Sequence, residues 1–77
     1  MLQIVFTMID DQDWDRPFRF DIEFATRTYT VPQCEPSLPT LILDDLLAWL
    51  NRTRDFFGFL KKMRKAFKDN LDTYRQA

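Results

Sequence analysis

The sequence predicts an α+β fold: a three-stranded antiparallel β-β-β meander followed by one long C-terminal helix. Three features predict it. Apolar and polar residues alternate over residues 2–9 and again over 18–24, the period of a half-buried strand. The alternation changes phase after Phe24, as a tight hairpin requires. From residue 40 onward apolar residues recur at alternating spacings of four and three, the signature of one helix face.

The first strand, about residues 2–9, sets Leu2, Ile4, Phe6 and Met8 on one face and Gln3, Val5, Thr7 and Ile9 on the other. Residues 10–17 then read as an acidic loop around a single tryptophan, with Pro17 at the start of the next strand. That strand, about 18–24, places Phe18, Phe20, Ile22 and Phe24 opposite Arg19, Asp21 and Glu23. A two-residue loop at Thr26–Arg27 accounts for the phase change. It starts a third strand over about 28–31 and pairs Phe24 with Tyr29 and Ile22 with Val31, so that all these apolar side chains share one buried face. The loop lacks the Asn-Gly or Asp-Gly pair such turns favour. The hairpin therefore rests on side-chain phase, and its alternative is one long bulged strand. Pro32, Pro36 and Pro39 punctuate the loop that follows.

The helix is expected over about 40–75. Thr40 suits the N-cap, and Asp44 and Asp45 suit the positive end of the helix dipole. Ile42, Leu46, Trp49, Thr53, Phe56, Leu60, Met63, Phe67, Asn70 and Tyr74 keep one frame. A helix of that length is roughly 54 Å long, whereas a compact chain of this size is about 30 Å across. Either the helix is kinked or split within residues 51–58, folding back at Asn51–Asp55, or another chain covers its C-terminal half. On the second ground a homodimer is expected, with Phe56, Phe57, Phe59, Leu60, Met63 and Phe67 as its interface. Asn70 would then set its register.

Length allows one domain, residues 1–77. Cys34 is the single cysteine and histidine is absent. No disulfide can form within one chain, and the commonest zinc ligand and general base are missing. No cofactor is expected. The N-terminus lacks the basic lead of a targeting signal, and no apolar run approaches the roughly 20 residues of a membrane span. A cytoplasmic location is expected. Residues 1–38 carry seven acids against three arginines, and residues 39–77 carry eight bases against five acids, so the two halves present faces of opposite sign.

Three constellations are candidates for function. Asp11-Gln12-Asp13-Trp14-Asp15 opens like a calcium loop, but Arg16 and Pro17 follow where glycine and a further ligand are needed. Its better reading is a contact surface for a partner protein: Asp10, Asp11, Asp13 and Asp15 around the anchor Trp14. Lys61, Arg64, Lys65 and Lys68 share one helix face within residues 61–68 and form a candidate nucleic-acid contact. The phenylalanines around Gly58 make the apolar stripe wider than one sheet can cover. No catalytic constellation is present. The expected function is a non-catalytic protein–protein interaction module. By analogy it resembles the small inhibitors encoded by phages and mobile elements, anti-CRISPR proteins among them, which would make it a viral protein acting on a host complex. The alternative is a nucleic-acid-binding protein using the basic face.

Overall fold

A computed structural model describes residues 1–75. Strands β1 (Leu2–Phe6), β2 (Phe18–Ala25) and β3 (Thr28–Glu35) form an antiparallel sheet in chain order, with β2 in the middle. The alternation of β2 dictates its burial. Phe18, Phe20 and Ile22 are buried, whereas Arg19 and Glu23 face water. Across β1, Leu2 lies opposite Ile22, Ile4 opposite Phe20 and Phe6 opposite Phe18, so the inner face is apolar on both strands. β1 ends at Phe6, three residues before its expected end. Met8 takes a left-handed φ of 61° and its N–H donates to the Trp14 carbonyl at 3.0 Å, which closes the loop.

The hairpin forms at Thr26–Arg27. Ala25 pairs with Thr28 and Phe24 with Tyr29, and the two loop residues have φ of 51° and 61°. That double left-handed conformation defines a type I′ turn, and it costs a residue with a Cβ roughly 1–2 kcal/mol. Replacing the pair by Asn-Gly (Thr26→Asn with Arg27→Gly) is therefore expected to raise the melting temperature by at least about 4–8 °C. Thermal unfolding followed by circular dichroism checks it, and an unchanged or lower midpoint would contradict it. Beyond the hairpin, Ile22 faces a bulge, because Val31 and Pro32 together occupy the space between the Asp21–Gln33 and Glu23–Thr30 pairs. β3 thus runs on to Glu35 through residues expected to be loop. Pro32 is tolerated because it sits at a bulge on an edge strand.

The single long helix is corrected to three: α1 (Thr40–Thr53), α2 (Phe56–Asp69) and α3 (Leu71–Arg75). The chain breaks within the segment named as the alternative turn. Arg54 adopts φ 61° and its N–H closes on the Leu50 carbonyl at 2.7 Å. Asp55 then starts a new helix, its side chain accepting from the Gly58 N–H at 3.0 Å. The arms run back along each other: the Lys62 ammonium lies 4.8 Å from the Trp49 ring centroid, and Ile42 and Leu46 line a groove with Ala66 and Asn70. Gly58 permits the close approach, since a Cβ there would lie 2.7 Å from Trp49 Cη2. The longest dimension is 39 Å, too short for the expected rod. Thr40 is not the N-cap. Pro39 holds that position without a side-chain bond, and Leu43 N–H donates to its carbonyl at 3.0 Å. Asn70, expected to set a register, bonds within its own chain. Its amide donates to the Ala66 carbonyl at 2.8 Å where α2 ends.

The break resets the helical phase. In α2 the buried residues are Phe59, Met63, Ala66 and Phe67, and in α1 it is Leu50. Phe59 stands edge-on to Phe20 at 6.0 Å, and Phe67 lies 5.3 Å from Phe18. Phe59, Met63 and Phe67 of the expected dimer interface are thus wholly inside this chain's own core. Phe56 and Leu60 are half-buried, and Phe57 is exposed. The helix length that called for a second chain is resolved by the fold-back.

Candidate functional site

At the hairpin end the sheet outruns the helices, and the apolar row on its inner face emerges into solvent. Phe24, expected to be buried, is 55% exposed. Its ring lies 4.6 Å from Tyr29, Tyr29 lies 6.5 Å from Phe56, and Phe56 lies 6.4 Å from Phe57. Phe57, at the start of α2, is 77% exposed. A groove lined by Met1, Leu2, Ile22, Phe24, Tyr29 and Phe56 runs beside this ladder of rings.

Two side chains from α1 and its C-cap hold the ladder in place. Asn51 acts as one rung of a strand: its Oδ1 accepts from the Tyr29 N–H at 2.7 Å, and its Nδ2 donates to the Tyr29 carbonyl at 3.1 Å and the Leu47 carbonyl at 3.0 Å. Arg54 donates to the Arg27 carbonyl at 2.6 Å, and its guanidinium lies 5.5 Å from the Phe24 ring and 5.7 Å from Tyr29. Such stacking is favourable where a cation meets an aromatic face. The groove is therefore a fixed apolar and aromatic surface rimmed by arginine. No side chain of its lining carries a thiol, an amine or a carboxylate. Its chemical capacity is to bury a partner's apolar side chains.

The acidic loop lies at the other end of the sheet. Asp10 is buried rather than presented to a partner. Its Oδ1 accepts from the Gln12 N–H at 3.0 Å, and Arg16 approaches its Oδ2 at 3.5 Å. Asp11, Asp13, Trp14 and Asp15 are exposed as expected of a contact surface. The basic face is divided. Arg64 donates to the carbonyls of Thr7 and Met8 at 3.2 and 3.3 Å, and Lys65 pairs with Asp69 at 2.9 Å, while Lys61 and Lys68 lie in solvent.

Cys34 and Tyr74 offer no nucleophile. Burial pushes the Cys34 thiol up, opposed by the Leu38 backbone, and its Sγ donates to the Pro36 carbonyl at 3.4 Å. Burial also pushes the Tyr74 phenol up to about 12, aided by Cys34 and opposed by Arg16. Among the described residues no cluster of histidine, cysteine and carboxylate could hold a metal. No helix among them is long and apolar enough to cross a membrane.

Sequence reasoning missed Asn51, Leu2 and the exposure of Phe24. Only the position of Phe24 beside the turn hinted that its row would outrun the helices.

Comparison with known proteins identifies the lineage. Residues 1–68 match the family described as chromosome segregation protein Spc25. The kinetochore protein spc25 of Schizosaccharomyces pombe is 48% identical over 69 residues, which cover 90% of this chain and 28% of that protein. The probable kinetochore protein SPC25 of Yarrowia lipolytica is 41% identical over 70 residues, or 91% of this chain and 30% of that protein. The Cryptococcus neoformans counterpart is 41% identical over 63 residues, 82% of this chain and 22% of its own length. The chain thus spans less than a third of the length of these relatives. These matches overturn the analogy with phage inhibitors, and with it the viral and anti-CRISPR readings. They equally overturn the nucleic-acid reading. By the extent and identity of these matches, the chain belongs to the Spc25 family of chromosome segregation proteins.

Proposed function

We propose that this chain is a folded, non-catalytic assembly module of a kinetochore protein, and that it docks another protein subunit through the aromatic groove at the hairpin end. The observation that supports this reading is the cluster of large exposed apolar side chains there. Leu2, Phe24 and Phe57 stand in water beside one groove, and burying each against a partner contributes roughly 1.5–3 kcal/mol. Its nature as a protein surface follows from chemistry: aromatic rings with an arginine rim are the residue types that dominate protein interfaces. The work of such a module lies at the kinetochore.

The test is a fluorescent fusion of the protein carrying Phe24→Asp and Phe57→Asp. It is expected to lose its focus at kinetochores in dividing cells. The purified double variant should stay folded with a loss of no more than about 2 kcal/mol, since Phe57 is exposed and Phe24 gives up only its surface stacking on Tyr29 and Arg54. Undiminished kinetochore focus in the variant would reject the groove as the docking surface.

A further inference from the structure

The side of the helix pair α1–α2 that faces away from the sheet carries the two signs of charge in separate strips. On α1 the residues turned from the core are Leu41, Asp44, Asp45 and Ala48, all exposed, and Leu41 stands 80% in water. On α2 they are Lys61, Lys65 and Lys68. Between the strips runs a groove with Ile42, Leu46 and Ala66 as its apolar lining. We infer that this face binds a second copy of the chain, in a two-fold pair in which α1 of each copy lies antiparallel across α2 of the other.

Charge complementarity selects both the occupant and the pose. The side chains of Asp44 and Asp45, and of Lys61 and Lys68, have no ion pair among the described residues. Lys65 is held by Asp69 one turn along the same helix, both largely exposed, and such a pair contributes little. A copy can meet itself face to face about a two-fold axis in two ways. With the axis across the helices, α1 lies on α1 and α2 on α2, so like charges meet in both contacts. With the axis along the helices, α1 lies on α2, and acids meet bases twice.

The register follows from the fold. Lys62 sits over Trp49, and Ile42 shares its groove with Ala66 and Asn70, so Asp44 and Asp45 stand level with the turn of α2 that holds Lys65. An axis along the helices preserves that level. Asp44 and Asp45 of one copy come down between Lys61 and Lys68 of the other, and Leu41 meets the aliphatic stem of Lys68. The two grooves close on each other. Each helix has 14 residues, about 21 Å of contact length, which makes a small interface of the transient kind. It is not the interface expected from the helix stripe, since Phe59, Met63 and Phe67 are inside the core. It also leaves the aromatic groove open, and neither assignment needs the other.

Sedimentation of the purified chain at low ionic strength tests the pair. The weight-average mass should climb from the monomer's toward twice that value between about 10 µM and about 1 mM, and added salt should reverse the climb. Asp44→Asn with Asp45→Asn should weaken association about tenfold, because the two-fold axis repeats each lost contact. The sharper arm uses two reversed variants, Asp44→Lys with Asp45→Lys in one and Lys61→Glu with Lys65→Glu in the other. Each alone should sediment as a monomer, and an equimolar mixture should pair again. Phe24→Asp with Phe57→Asp should associate as the parent does, which separates this face from the aromatic groove. A monomer mass over the whole range would overturn the assignment. So would folded reversed variants that fail to pair when mixed, or association lost in the Phe24 and Phe57 variant. If circular dichroism shows a reversed variant unfolded, the asparagine variant decides, and undiminished association there would overturn the assignment.

Discussion

Replacing Phe59 by alanine is expected to remove about 3–5 kcal/mol of stability, a large share of the roughly 4–12 kcal/mol that a 77-residue domain possesses. The ring has no exposed surface and stands edge-on to Phe20 at 6.0 Å. Its loss forfeits both the transfer of a large apolar group and the contacts around the void it leaves. Two residues away, Phe57 is 77% exposed, and Phe57→Ala should change stability by no more than about 0.5 kcal/mol. Urea unfolding of both variants separates them. If Phe59 lay at an interface between copies, its alanine variant would fold as a stable monomer instead. Equal losses at the two positions would mean that the phase assigned to α2 is wrong.

Asn51→Asp is expected to cost about 3 kcal/mol or more near neutral pH. The native amide offers a donor to the carbonyls of Tyr29 and Leu47 and an acceptor to the Tyr29 N–H. A carboxylate keeps the acceptor but turns an anionic oxygen toward two carbonyls, leaving polar groups unsatisfied at a part-buried site. The sign with pH follows. Facing carbonyls disfavours the charged form, so the introduced carboxyl holds its proton more tightly folded than unfolded. The variant's penalty should therefore shrink as pH falls through that raised folded value toward the ordinary carboxylate range, where the protonated acid can donate again. Chemical denaturation of parent and variant at several pH values measures the difference. A gap that widens on acidification would contradict this account of the amide.

The strands were legible where one physical constraint acts alone. β2 alternates because one face is buried, and the phase change after Phe24 placed the hairpin without any glycine to mark it. β3 past Val31 was not legible, because Pro32 reads as a breaker and only a bulge on an edge strand excuses it. The helix break was legible as an alternative only. Thr53-Arg54-Asp55 contains neither glycine nor proline, and an arginine in the left-handed region gives no local signal. Its consequence was large, since the new phase moved Phe59 from the flank of the stripe to the middle of the core.

The candidate surfaces divide in the same way. The exposure of Trp14 was legible from its acidic neighbours, whereas Asp10 looks in sequence like the other loop acids, and only the fold turns it inward. The aromatic groove depends on where the helices cease to cover the sheet, a distance that no local pattern encodes. The Spc25 lineage rests on similarity along most of the chain rather than on any short motif.

The two-pronged grip of Asn51 on Tyr29 also bears on whether the sheet can grow. A strand adding beside β3 would need the outward N–H and carbonyl of Tyr29, both already taken by the side-chain amide. Further along that edge Pro32 has no N–H to give, and the bulge bends the strand away from a flat template. β1 lies at the other margin of the sheet, with no strand beyond it among the described residues. Indefinite stacking of copies edge to edge requires two receptive margins on each copy. With Tyr29 occupied and Pro32 without an N–H, β3 is a poor template for such stacking, so the sheet discourages fibre growth through that edge.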